Sequence, residues 1–239
     1  MMQMMPVSKR ILSWDTLQVG VEESKMKKEQ NHWLSERSRL YAKYAEGLPK
    51  NSSYVQLSFD KPEYGWIDMH VCVNYNEKDC IELSNAIHEP FGDLKEWLEH
   101  IVTKSGSFPE AGSIVQLDCE HYEVVLYYEP ILYTEPGYRG HIFKNNKYGC
   151  GLFYIYNEAL KSITANTIVG TKDLVKSFYL SIINYAKEMQ QNENFVENWV
   201  WDAYNSEMHD YDEDSPELKD FFLKKVRSKI IEEYLGIKE

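Results

Sequence analysis

No stretch of the chain approaches the ~20 consecutive apolar residues that a helix needs to span a bilayer, although hydrophobic residues make up 43% of the sequence. The four cysteines, Cys72, Cys80, Cys119 and Cys150, are too dispersed to form a C-x-x-C pair, which excludes the common zinc-finger spacings. Signature catalytic loops are missing as well: there is no G-x-S-x-G elbow, no Walker loop, no G-x-G-x-x-G and no H-E-x-x-H. Cationic residues are scarce, with 26 Lys and Arg against 38 Asp and Glu and a net charge of −12. That balance argues against a duplex-binding protein, which needs a cationic face to neutralise phosphates. The opening Met-Met-Gln-Met-Met-Pro has neither the charged region nor the apolar run of a secretory leader. The expectation is a cytoplasmic chain with reduced thiols.

What the chain has in quantity is aromatic and acidic residues. Aromatics are 14% of the residues, including 18 Tyr and 6 Trp. They suit strands, and tyrosine also serves binding surfaces by joining a large apolar ring to a polar tip. The charge is uneven. Residues 1–50 hold nine Lys and Arg against six Asp and Glu, a net +3, so the remainder carries −15 of the overall −12.

The organising stretch is 80–106, where the hydrophobic period changes from two to 3.6. Ile81, Leu83 and Ile87 share the parity of a half-buried strand. Phe91, Leu94, Trp97, Leu98, Ile101 and Val102 then follow helical spacing, with Pro90 in the first turn. Upstream, Val55, Leu57 and Phe59 alternate, and so do Ile67, Met69, Val71 and Val73. A loop over 75–79 would set Val73 opposite Ile81, Val71 opposite Leu83 and Ile67 opposite Ile87, giving one apolar face for helix 91–104 to cover. Further strands are expected at 113–118, 122–128, 140–144 and 148–156, with Asn145-Asn146 as a hairpin turn between the last two. Residues 157–170 read as a connection with room for a short helix at 158–162. Helices are expected at 21–46, on a narrow stripe of Met26, Trp33 and Leu40, at 171–189, at 194–208, and at 216–235. The last buries Leu218, Phe221, Phe222, Val226, Ile230 and Tyr234.

Runs of strands followed by runs of helices indicate α+β. The expected architecture is an antiparallel sheet of about six strands, one inserted packing helix (91–104), and flanking N- and C-terminal helices. Residues 1–53 form a helical lead-in, 54–190 the α+β core, and 191–239 a C-terminal helical segment packed on that core, all within one domain.

Two clusters carry candidate chemistry. Residues 202–214 hold six carboxylates and no Lys or Arg. Asp210-x-Asp212-x-Asp214 is like the start of a calcium loop, but Ser215 stands at the sharp-turn position and Phe221 where a bidentate Glu belongs. The plain reading of this stretch is a solvated acidic loop; the functional reading set beside it is a partner-binding patch built from Trp201, Asp202, Tyr204, Glu207, Asp210, Tyr211, Asp212, Glu213 and Asp214. There the carboxylates steer a basic protein and the aromatics, with Trp199 beside them, anchor it. The second cluster is the outward face of the 66–74/80–87 hairpin, with Asp68, His70, Cys72, Glu82 and Ser84. The expected register sets His70 opposite Ser84 and Cys72 opposite Glu82, and a nearby carboxylate raises a thiol pKa, so a nucleophilic cysteine is disfavoured. Cys119-Glu120-His121 is too short to specify zinc, and Glu96 with His100 reads as a surface pair on the helix. No cofactor, metal or catalytic residue is assigned.

The pattern Ile81-x-Leu-Ser84-x-x-Ile87-x-x-Pro90-Phe91-x-Asp93-Leu94-x-x-Trp97-Leu98-x-x-Ile101 resembles uncharacterised bacterial families, some of them similar to immunity proteins of toxin–immunity systems. The resemblance covers about a tenth of the chain and implies a cytoplasmic, non-catalytic protein that binds another protein. The function expected from the sequence is therefore binding of a basic protein partner through acidic and aromatic surface. The alternative is an enzyme of unknown class with a pocket on the sheet face.

Overall fold

The structure is a computed structural model and describes residues 53–85, 89–104, 113–130, 133–134, 143–144, 149–192, 194–195, 199 and 216–237. The lead-in helix expected at 21–46 and the acidic stretch 202–214 lie outside these residues.

Strands β1 (Val55–Phe59), β2 (Trp66–Val73) and β3 (Asn76–Ser84) form an antiparallel sheet in that order. Helix α1 (Pro90–Lys104) follows. The amides of Phe91 (2.9 Å) and Gly92 donate to the Glu89 carboxylate at its start, which satisfies orphan donors where the helix dipole favours an anion. Next come β4 (Ser113–Asp118), β5 (Glu123–Pro130), a two-stranded ribbon of β6 (Tyr133–Thr134) and β7 (Phe143–Lys144), then β8 (Cys150–Asn157) and β9 (Ser162–Gly170). The second sheet is antiparallel in the order β4-β5-β8-β9. Helices α2 (Thr171–Met189), α3 (Pro216–Val226) and α4 (Lys229–Leu235) complete the described elements.

The fold is thus α+β, but the single six-stranded sheet is not formed. Strand β3 ends the first sheet with β2 as its neighbour, and β4 takes β5 as its neighbour in the second. A parallel bridge links the two sheets, the Ser53 amide donating to the Ile168 carbonyl at 2.8 Å, and Asp79 on β3 accepts from Asn157 and Thr164 of the second sheet. They share one core, in which Ile67, Met69, Val71, Ile81 and Leu83 join Leu117, Leu126, Phe153 and Val169.

Four local expectations are corrected. The connection at 157–170 contains strand β9; Thr164, Asn166 and Thr167 hide its apolar alternation, while Ile163, Ile168 and Val169 supply β propensity. The β2–β3 turn is not five residues but two, Asn74 and Tyr75. Both have positive φ (51° and 65°), as a type I′ hairpin turn requires. The real register therefore pairs Ile67 with Leu83, Met69 with Ile81 and His70 with Cys80. Strand β7 pairs with β6, whereas β8 pairs with β5 and β9, so no hairpin joins β7 to β8. The helix at 216–235 is two helices. Ser228, extended at φ −137°, caps the second by accepting from the Ile231 amide (3.2 Å), and the break buries Ile231 while Ile230 is exposed.

Helix α1 does bury its stripe, but against β4 and α2; it is α2 that runs along β1. Trp97 is fully buried, donates its Nε1–H to the Ser113 carbonyl (3.0 Å) and packs against Phe153 and Phe178. Phe91 meets Phe59 at 5.1 Å, Phe222 at 5.0 Å and the edge of Trp199 at 5.8 Å. Trp199 is fully buried in this aromatic knot and not a surface anchor.

Candidate functional site

The period of two sorts β2 into two faces. Ile67, Met69, Val71 and Val73 are buried, and Trp66, Asp68, His70 and Cys72 alternate with them at intermediate exposure. Asp68 lies directly opposite Glu82 on β3. Two carboxylates opposed across strands disfavour folding by a few tenths to ~1 kcal/mol. Asp60 follows β1, and Glu63 opens the turn into β2.

That turn is tightly made. Glu63 and Trp66 exchange both backbone hydrogen bonds (2.9 and 3.0 Å) around Tyr64 and Gly65, whose φ values are 53° and 84°. Gly65 is required here twice over: its φ lies in the left-handed region, and a Cβ would sit 2.6 Å from the Asn85 side-chain oxygen. Tyr64, the other tip residue, is 93% exposed. The second turn, at the far end of β2, repeats the arrangement, because Tyr75 is 84% exposed with positive φ and its ring lies 5.8 Å from that of Tyr54.

Between the first turn and the β4–β5 connection lies an open concavity of about 840 Å³, lined by Asp60, Lys61, Glu63, Tyr64, Trp66, Asp68, Glu82 and His121. Four carboxylates face one lysine there. Strand β3 is tied to the β4–β5 connection by the Ser84 hydroxyl, which donates to Glu120 Oε1 at 2.5 Å, and by the Glu82 amide, which donates to the Tyr122 hydroxyl at 3.4 Å. Further along the strand, His70 holds Glu77 Oε2 with Nδ1 (3.1 Å) and Asp60 Oδ2 with Nε2 (3.3 Å).

The structure brings together Asp68, His70, Cys72 and Glu82 on one surface as the alternation predicts. Ser84 is buried instead, and the expected partners change: His70 faces Cys80, and Cys72 faces Glu77 across a bulge. Burial, with the carboxylates of Asp68, Glu77, Glu82 and Asp60, pushes the Cys80 thiol up to about 11. Burial likewise pushes Cys119 up to about 12. Neither thiol yields much thiolate at neutral pH, and His70 is engaged by a carboxylate on each nitrogen. Among the described residues no group of three or more His, Cys, Asp and Glu is placed to hold a metal ion, and no helix is long and apolar enough to cross a membrane. Cys119, Glu120 and His121 sit at the β4–β5 turn, where His121 lines the concavity. His100 reaches across from α1 to the Ser113 hydroxyl (2.7 Å).

Sequence reasoning left Asp60, Glu63, Tyr64, Trp66 and Glu77 out of this face. The legible signal was the Tyr64-Gly65 pair between two apolar alternations, a turn that must present its tip residue to water. The predicted partner-binding residues Trp201, Asp202, Tyr204, Glu207, Asp210, Tyr211, Asp212, Glu213 and Asp214 all lie outside the described residues. No family model, curated protein or solved structure matches the chain.

Proposed function

We propose that this is a non-catalytic binding protein that meets a basic protein partner through the acidic, tyrosine-edged face of the β1-β2-β3 sheet. The observation that carries this reading is Tyr64, a bulky side chain held at positive φ and 93% exposed beside Asp60, Glu63, Asp68 and Glu82. Clustered carboxylates steer a cationic partner, and a rigid, exposed tyrosine supplies anchor area at low conformational cost. An immunity-like role in the cytoplasm, with a basic toxin as the partner, fits the same surface. The six carboxylates at 202–214 extend the reading to a second acidic stretch.

The test is a pull-down with the full chain, the captured protein identified by mass spectrometry and its charge read from its sequence. A genuine partner is basic. It is released by about 0.5 M salt, where the Debye length falls to a few ångströms. It is lost about tenfold or more with Asp68→Lys and Glu82→Lys together. A parallel reversal of Asp210, Asp212 and Asp214 assigns the share of the second stretch. A partner retained at full strength by both reversed chains overturns the proposal.

A further inference from the structure

We infer that His70 is a proton-dependent clasp, whose imidazolium ties the Asp60 carboxylate beyond β1 to the Glu77 carboxylate on β3 across the width of the small sheet. Both ring nitrogens lie within hydrogen-bond distance of a carboxylate oxygen, at 3.1 and 3.3 Å. An ionised carboxylate only accepts, and a neutral imidazole has one N–H to donate. The neutral ring therefore satisfies one carboxylate and turns a lone pair toward the other. The imidazolium donates to both, and charge-assisted bonds of this kind are about twice as strong as neutral ones.

The surroundings favour the same state. Asp68 on β2, Glu82 on β3 and Glu63 in the turn add negative charge to this face, and Lys61 is the cation beside Asp60. Directly across the strands stand Ser58 on β1 and Cys80 on β3. Burial is the largest single influence on the ring and acts against its charge. The hydrogen bonds and charges of Asp60 and Glu77 together overcome it, so the pKa lies above the usual 6.5. The sign follows: the clasp's stabilisation is complete below the unfolded-chain value and is lost as pH rises through the higher folded value. Loss of the proton frees one carboxylate and makes the face one charge more negative. The clasp is a property of the free chain, and the inference does not rest on what the face binds.

The test is a proton–carbon NMR titration of the histidine side chains in the full chain, with His70→Gln assigning the resonance. His70 titrates above the usual histidine value in the unaltered chain, and Asp60→Asn and Glu77→Gln each lower it. A titration at or below 6.5, or one that neither variant moves, overturns the inference. Urea midpoints at about pH 6 and about pH 8.5 give a second reading. The unaltered chain loses more stability between them than His70→Gln does, and equal losses overturn the clasp.

Discussion

Replacing Tyr64 by Asn separates folding from binding. Tyr64 and Gly65 occupy the two positive-φ positions of a tight turn (53° and 84°), and Asn-Gly is the pair such a turn prefers. A left-handed conformation costs a residue with a Cβ roughly 1–2 kcal/mol, and Asn escapes much of this by local hydrogen bonding. The ring offers little in return, since the residue is 93% exposed and hydrophobic stabilisation scales with area removed from water. Tyr64→Asn should therefore raise the unfolding free energy by ~1 kcal/mol, read as a higher urea midpoint at unchanged m-value. Tyr75→Gly is the internal comparison, because it likewise turns Asn74-Tyr75 into Asn-Gly. Its gain is offset by the lost contact with Tyr54 at 5.8 Å, worth ~0.5–1.5 kcal/mol, so its net change should be near zero. Capture of the partner should fall with Tyr64→Asn although the fold is firmer. A variant that is less stable than the parent, or more stable with capture intact, refutes the claim that this tyrosine is kept for its exposed surface.

Asp79→Ala should cost about 3 kcal/mol in urea unfolding, since it orphans the buried Asn157 amide (3.1 and 3.3 Å) and the Thr164 hydroxyl (2.7 Å) at ~1–3 kcal/mol each. The triple replacement Asp79→Leu, Asn157→Leu, Thr164→Val should recover part of the loss, because it removes the orphaned donors and costs only the bond from the Leu160 amide to Asn157 Oδ1 (3.2 Å). Trp97→Ala should cost ~3–5 kcal/mol by calorimetry or urea, having emptied a fully buried site and orphaned the Ser113 carbonyl. Glu232 is held below the usual carboxylate value by the forked Arg227 guanidinium (3.0 and 3.2 Å), against burial and with help from the Tyr179 hydroxyl. Its contribution is present above the ordinary value of 4.5 and lost as pH falls, so the loss of stability on acidification should be smaller in Glu232→Gln.

The buried faces were legible in the sequence because parity survives a register error. The expected loop over 75–79 set Ile81 opposite Val73, and the real two-residue turn sets it opposite Met69. A slide of four residues is even, so every apolar side chain stays on the core face. Most of the buried stripe of helix α2 was legible, since Leu174, Val175, Phe178, Tyr179, Ile182, Ile183, Ala186 and Met189 are all buried along it, but Tyr185, buried as well, falls outside the expected stripe. Which strand neighbours which was not legible. Periodicity fixes a strand's faces and says nothing of its edges, so β3 and β4 could not be assigned to separate sheets, nor β7 to β6. Strand β9 was hidden because its Thr and Asn residues look the same in a loop as beneath a sheet. The C-terminal break escaped notice because Ser228 is an ordinary helix residue until its amide is seen to donate to the Tyr179 hydroxyl oxygen (2.9 Å).

The acidic face was half legible for a related reason. Alternation placed Asp68, His70, Cys72 and Glu82 outward, but the residues that give the face its edge come from turns, where side-chain direction depends on backbone sign. The local costs gather there. Asp68 opposes Glu82, two tyrosines occupy left-handed turn positions, and the Cys80 thiol sits among four carboxylates. The other side of the same strands buries Ile67, Met69, Val71, Ile81 and Leu83 fully in one core, and its one carboxylate, Asp79, is hydrogen-bonded to Asn157 and Thr164. Folding alone would be served better by a Lys or Thr opposite Glu82 and by Asn-Gly at both turns. Conflicts on the solvent face of a well-packed sheet support the binding surface proposed above.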